Sequence, residues 1–335
     1  LLEDESQTHT ILGLIPLLRD ENWRDRVLPH VRDPIVKAFW EGEEVSESAL
    51  EPLLNRLSPL TTDVTMRRMF GQSKWSLDIR KYMDEGHIFL WDLLNIDHRN
   101  IKLAVGHIIN QYHITAKNRM PGSKLHVLMI DEAHLVQPPV LAKIIAEDRK
   151  FGLSLGLITQ YVGQFQDWLI EAISENVGTI LTLTQGEKSA GAVSRMTAGS
   201  FDPKFLQRLP ERVVAVYTKT KGPSGRDEVI TLTVESDPPY MYKPDGEIAN
   251  YRNPREIKQA TDWALAKGRE LQARDGRPAA EVDREIEMYL RGKTLLQTAR
   301  DRSVEPERRE VKKAAPKLKT IRGGKGEDVR DILGF

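Results

Sequence analysis

The sequence predicts an α/β fold, with helices on both faces of a mostly parallel sheet. Two observations carry this prediction. Apolar runs of strand length alternate with helical patterns from residue 76 to 240, as in βαβ units. One of these runs, residues 125–130, is apolar almost throughout and stops at two carboxylates, Asp131 and Glu132. A chain of 335 residues can hold one such domain plus helical additions.

Residues 1–75 are expected to form an all-α module, because apolar residues recur at helical spacing and no good strand occurs. Trp23, Phe39 and Trp40 are predicted to fill its core. The short helices of this module are predicted at 11–18, 34–40 and 49–57.

The α/β domain is predicted to span residues 76–240, and its elements alternate along the chain. Pro138 and Pro139 open one of its helices, and Gly152 ends it. Strands are predicted at 87–93, 125–130, 153–159 and 177–184, and helices at 101–119, 165–174 and 187–196. A short helix follows Asp202 and Pro203, and a hairpin pairs 213–218 with 229–234.

The rest of the chain is polar. We expect a charged helical extension over 241–303, with helices at 254–276 and 279–292, and a flexible basic tail over 304–335. The tail's cations could contact DNA phosphates or a partner, but interleaved acids also suit a solvated tail.

Composition excludes several classes of function. The chain has no cysteine, which rules out disulfides, thiol catalysis and cysteine-based zinc sites. Its formal net charge is zero, so there is no global basic signature of nucleic-acid binding, although local basic loops remain compatible with DNA. No apolar run approaches the length of a membrane span. We expect a cytoplasmic location, including the inner face of the cell membrane, with membrane contact only through residues preceding Leu1.

Asp131 and Glu132 are the first candidates for chemistry. Open α/β sheets bind ligands at the carboxyl ends of their strands, where these two acids lie. Aspartate there suits Mg²⁺ on nucleotide phosphates, and glutamate there can polarise an attacking water. The run therefore looks like a Walker B motif. The alternative is an ordinary strand-to-helix turn whose acids cap the next helix.

Gln160 ends the neighbouring predicted strand, so it is expected beside the γ-phosphate or the attacking water. The alternative is a solvated loop glutamine. His134 could relay contacts between the nucleotide and a subunit interface, or could simply start a helix.

Two arginines are candidates for an arginine finger, a guanidinium that reaches the nucleotide of a neighbouring subunit. Arg149 lies at the far end of the helix before the 153–159 strand, and Arg119 closes the 101–119 helix. For both, the alternative is a last-turn cation that complements the helix dipole.

The sequence holds no G-x-x-x-x-G-K-[ST] phosphate loop. The chain also begins with leucine. We therefore expect the carboxyl part of a longer ATPase, and we expect this part alone to be inactive.

These residues together resemble the HerA/FtsK-type pumping ATPases, and are most similar to the TraG/TraD-like conjugative coupling proteins of type IV secretion. The resemblance covers roughly residues 1–240. It is carried by segment 78–94, Arg119, the LMIDE sequence at 128–132, the RKFGLSLGLITQ sequence at 149–160 and the ENVGTI sequence at 175–180.

The resemblance implies a RecA-like P-loop NTPase core in a homohexameric ring, with ATP and Mg²⁺ at subunit interfaces and DNA through the centre. It implies that Asp131 binds Mg²⁺, Glu132 is the base, Gln160 senses phosphate and Arg149 acts in trans. A relaxase, an adaptor or secretion-channel proteins would be further partners.

Three other functions stay open. Residues 131–134 spell the DEAH box of a helicase class, but its Ser-Ala-Thr motif and arginine-rich motif are lacking. A type IV secretion ATPase acting on proteins could carry the same signatures. A degenerate subunit without phosphate binding could serve as a non-hydrolysing assembly platform.

Overall fold

Helices dominate the part of the chain that the structure describes, and its strands form two separate small sheets. A computed structural model describes residues 1, 3–5, 7–42, 46–74, 77–93, 96–222, 224–237 and 240–291. Among these residues, no helix combines the length and the apolar character needed to cross a membrane. The predicted basic tail, 304–335, lies outside the described residues.

The amino-terminal part is helical, as predicted, and no strand occurs among its described residues. Its helices are α1 Leu14–Arg19, α2 Glu21–Val27, α3 Pro34–Gly42, α4 Glu47–Thr62, α5 Val64–Phe70 and α6 Ile79–Glu85. The helices that follow are α7 His98–Lys117, α8 Val140–Glu147, α9 Asp167–Asn176, α10 Glu187–Met196, α11 Pro203–Leu206, α12 Pro254–Asp275 and α13 Ala279–Leu290.

Strands β1 His126–Ile130 and β2 Leu153–Leu157 form a parallel pair. His126 lies opposite Leu153, and Ile130 lies opposite Leu157. Leu128 and Ile130 alternate into the core, as a period of two requires. They pack in one apolar cluster with one face of α7, which includes Val105, Ile108, Ile109 and Tyr112.

The second sheet is antiparallel and corrects the prediction of a mostly parallel sheet. It has the order β3–β4–β5, where β3 is Thr179–Thr182, β4 is Val213–Lys221 and β5 is Asp227–Glu235. Within the described residues, β1 and β2 are the one parallel pair. The predicted hairpin is confirmed, since β4 and β5 pair along their whole length. Its buried residues Ala215 and Tyr217 pack against α10 and α11.

Helix α13 packs on the amino-terminal helices. Val282 and Ile286 share an apolar cluster with Leu12 and Met66. Beside this cluster, Arg68 donates two hydrogen bonds to the Asp283 carboxylate, at 2.8 and 2.6 Å. The carboxyl-terminal helix therefore stabilises the module at the start of the chain.

The predicted core of that module is partly wrong. Trp23 is 1% exposed and Trp40 packs against the cluster, but Phe39 is 47% exposed. Phe39 makes an edge contact with the ring of Trp40 instead. The amphipathic pattern of α3 therefore places only one of its two adjacent aromatics against the core.

The predicted strand at 87–93 is also wrong, because no strand forms there. The alternation is present, because Phe89 and Trp91 are half-buried while Ile88 and Leu90 are 90% and 85% exposed. Strand structure requires a hydrogen-bonded neighbour, and within the described residues none pairs with this segment.

Candidate active site

The site lies where β1 and β2 end together. Because the two strands are parallel and in register, their carboxyl ends meet at one edge of the sheet. The Ile158 amide donates to the Ile130 carbonyl at 2.9 Å, and the Ala133 amide donates to the Ile158 carbonyl at 2.9 Å. These bonds bring Asp131 and Glu132 beside the residues that follow β2.

Glu132 has an unusual backbone conformation at this turn. Its φ is 47° and its ψ is 43°, the left-handed region that a residue with a Cβ rarely adopts. Such strain persists where surrounding contacts hold it, and it is concentrated at functional sites. Here the Asp131 Oδ1 accepts the Glu132 amide at 2.9 Å, which helps to hold the turn.

Both oxygens of the Glu132 carboxylate have partners. Gln160 Nε2 donates to Oε1 at 3.0 Å, and His134 Nδ1 lies 3.1 Å from Oε2. The same His134 nitrogen is 3.3 Å from Thr159 Oγ1. The structure therefore brings together Asp131, Glu132, His134 and Gln160, which the sequence singled out, and adds Thr159.

Asp131 and Glu132 are the carboxylates at this edge of the sheet that could hold a magnesium–nucleotide pair. Among the described residues, no group of three or more His, Asp or Glu side chains is placed to hold a metal ion. Mg²⁺ in nucleotide sites takes one or two carboxylates and completes its shell with phosphate oxygens and water. The exposed carboxylate of Asp131, with Glu132 beside it, fits that partial ligand set.

Arg119 lies far from this cluster, at the opposite ends of the strands. Its side chain is 0% exposed. Nε donates to Asp84 Oδ1 at 2.8 Å, and NH2 donates to the Lys124 carbonyl at 2.6 Å. NH1 donates to the carbonyls of Phe151 and Gly152, at 3.1 and 3.3 Å.

These contacts favour a structural role for Arg119. The guanidinium joins the chain entering β1 to the chain entering β2, and it holds both to helix α6. A buried guanidinium with its donors occupied cannot reach outward to a neighbouring subunit. Arg80 and Arg119 together lower the pKa of the Asp84 carboxyl, mainly through the hydrogen bond from Arg80.

Arg149 has the opposite environment. It lies on the single 3-10 turn Asp148–Phe151 that precedes β2, and its side chain is exposed. Strand β2, five residues and about 16 Å long, lies between the turn of Arg149 and the edge of the sheet where the carboxylates lie. Arg149 and Glu132 of one chain are thus at opposite ends of the same strand pair.

One pair of polar residues near Arg149 was missed from the sequence. His113 of α7 and Asp148 contact each other at 2.7 Å, although 35 positions separate them in the chain. Neither residue belongs to a motif, and helical spacing alone gave no signal for this contact.

Comparison with known proteins gives distant structural similarities. No protein-family model matches the chain, and no curated protein sequence matches it. Among solved structures, the genome packaging NTPase B204 of Sulfolobus turreted icosahedral virus 2, in complex with AMPPCP, aligns with 17% identity and a TM-score of 0.29. That alignment covers 38% of this chain and 60% of the NTPase.

The DNA-packaging ATPase B204 of Sulfolobus turreted icosahedral virus aligns with 15% identity and a TM-score of 0.32. It covers 62% of this chain and 90% of the other.

Proposed function

We propose that this chain contributes the Mg²⁺-binding and water-activating side chains of an ATPase that moves DNA through a ring of identical subunits. The contact between Gln160 and Glu132 at the carboxyl ends of two parallel strands carries the ATPase part of the proposal. Hydrolysis needs an acid for the metal, an acid for the attacking water and a hydrogen-bonding group near the γ-phosphate. Here the two acids follow one strand and the amide follows the next, so all three groups lie close together.

In this proposal Asp131 would hold Mg²⁺, which would neutralise charge on the phosphate oxygens. Glu132 accepts a proton from the water whose oxygen attacks the γ-phosphorus, and the bond from that phosphorus to the bridging oxygen breaks. Gln160 and His134 each contact one oxygen of Glu132, and because a carboxylate oxygen can accept a second hydrogen bond, Glu132 can also accept one from the water. The amide groups of Gln160 that do not contact Glu132 can hydrogen-bond the water or the phosphate.

Arg149 is proposed to act in trans. Its exposure and its distance from Glu132 of the same chain suit a guanidinium that serves the nucleotide of the next subunit. A closed ring would give every nucleotide an Arg149 from the next subunit, and a hexamer is the proposed state.

The DNA substrate and the conjugative type of motor are proposed from the resemblance to HerA/FtsK-type ATPases. A protein-secretion ATPase would share the same carboxylates, so the substrate must be tested directly. A non-hydrolysing assembly subunit is the alternative that the lack of a phosphate loop in this sequence favours.

The test is ATP hydrolysis by the complete protein with and without DNA. We expect Glu132→Gln to retain ATP binding and to lower kcat by about 10²- to 10⁴-fold, the usual worth of a general base. The matched control is Glu171→Gln, which makes the same change at an exposed position of α9.

Equal hydrolysis by Glu132→Gln and the control would overturn the catalytic assignment. Hydrolysis that responds to an unfolded protein substrate but not to DNA would replace the DNA motor with a protein-secretion motor. Failure of the complete wild-type protein to bind ATP would favour the assembly subunit.

A further inference from the structure

Asp148, the residue before Arg149, carries a buried carboxylate. Its side chain is 0% exposed, and its Oδ2 lies 2.7 Å from His113 Nδ1. Its Oδ1 has no hydrogen-bond partner among the described residues. Burying a carboxylate is costly unless it is paired, so His113 is the group that makes this position tolerable.

A second residue of α7, besides His113, contacts the turn that carries Arg149 and the residue before it. Lys117, one helical turn after His113, forms an ion pair with Glu147. The Lys117 Nζ also lies 5.5 Å from the ring centre of Phe151, at the other end of the turn. The residues on both sides of Arg149 are therefore tied to a single long helix.

The turn is also tied to the chain that enters β1. The Gly122 amide donates to the Lys150 carbonyl at 2.9 Å. Gly152 ends the turn with φ of 76°, and a Cβ there would collide with the carbonyl oxygens of Ser123 and Lys124. The backbone around Arg149 is thus fixed on three sides, while the Arg149 side chain remains exposed.

We propose that His113 and Asp148 are positioning residues for Arg149: their buried contact fixes the turn so that the guanidinium is presented outward toward the neighbouring subunit. This inference rests on the proposed trans role of Arg149. Protein stability alone does not require a His–Asp pair here, because apolar residues of similar volume could fill the same space. The proposal gives this pair a function.

The test uses the complete protein and His113→Leu, which removes the donor and keeps a side chain of similar bulk. A displacement of about 1 Å in a catalytic group can cost about 10²-fold in rate, so we expect a drop in kcat of that order with KM changed by less than about threefold. His113→Asn retains a donor near the position of Nδ1 and should restore kcat to within about threefold of wild type. His107→Leu is the matched control, because it changes another half-buried histidine of α7.

Mixing of subunits separates positioning from general damage. A His113→Leu subunit keeps an intact Glu132, and a Glu132→Gln subunit keeps an intact Arg149. At interfaces between them, activity should recover to the extent seen when Arg149→Ala and Glu132→Gln subunits are mixed.

Recovery with Arg149→Ala but not with His113→Leu would overturn the positioning role and leave the proposed function intact. Recovery in neither mixture would overturn the trans role of Arg149, and the positioning role with it. If His113→Leu does not fold, the double variant His113→Leu/Asp148→Leu removes the buried charge together with its partner. The mixing experiment is then repeated with the double variant, and its outcomes are interpreted in the same way.

Discussion

Replacing Arg119 by methionine tests its assignment as a structural residue. Methionine keeps most of the apolar stem and removes the guanidinium, so the lost free energy comes from the polar contacts. Three of these are short: 2.8 Å to Asp84, 2.6 Å to the Lys124 carbonyl and 3.1 Å to the Phe151 carbonyl. Asp84 is 43% exposed and keeps Arg80 as a partner, which reduces the worth of that contact.

At about 1–1.5 kcal/mol for each of the two carbonyl contacts and about 0.5 kcal/mol for the half-exposed contact with Asp84, Arg119→Met should lower the free energy of unfolding by about 2.5–3.5 kcal/mol. With a urea dependence of about 3 kcal/mol per molar, the unfolding midpoint should fall by about 0.8–1.2 M. Far-UV circular dichroism in urea measures this shift. Arg149→Met is the control, and its exposed side chain should cost less than about 0.5 kcal/mol. A midpoint for Arg119→Met that matches the control would refute the structural role.

Three further predictions concern stability. Gly152→Ala should lower the free energy of unfolding by more than about 1 kcal/mol, because φ of 76° and the collision with the Ser123 carbonyl both oppose a Cβ; thermal unfolding measures it. Trp23→Ala should cost about 3–5 kcal/mol in urea unfolding and Phe39→Ala much less, and equal costs would contradict their difference in burial. Burial lowers the pKa of His126 below 6.5, so the unfolded chain binds the extra proton. The contribution of neutral His126 to stability is therefore complete above about pH 6.5 and is lost as the pH falls through the lower pKa of the folded state. The free energy of unfolding should fall between about pH 7.5 and 5, and His126→Gln should make that fall smaller.

The parts of the fold that the sequence predicts well are those fixed by local patterns. One apolar run predicts strand β1 and the acids that follow it. The sequence predicts Gln160 beside a phosphate or water at the end of the next strand, and in the structure Gln160 contacts Glu132. Helix α10 forms at its predicted bounds, 187–196. In these cases the residues that determine the element lie within it.

The misses have the opposite cause. Segment 87–93 has the alternation of a strand, but pairing depends on a neighbour that the local pattern cannot supply. Arg119 and the pair of His113 with Asp148 are buried polar groups whose partners lie about 30 to 35 positions away in the chain. The position of an arginine at the end of a predicted helix does not show whether its side chain is buried or exposed. Only the structure shows that Arg119 is buried and Arg149 is exposed.

The geometry of the strand pair bears on why the proposed motor would need more than one subunit. Glu132 and the turn of Arg149 lie at opposite ends of the strand pair, with the length of β2, about 16 Å, between them. The Glu132 side chain and the Arg149 turn are each held by contacts of their own. A single chain therefore cannot bring its own Arg149 to its own Glu132 without dismantling the pair. If both groups act on one nucleotide, two chains must supply them, and hydrolysis then depends on how neighbouring subunits meet. Because the turn around Arg149 is fixed, the guanidinium would reach the next site only when the two subunits are correctly oriented. Hydrolysis would then depend strongly on that orientation.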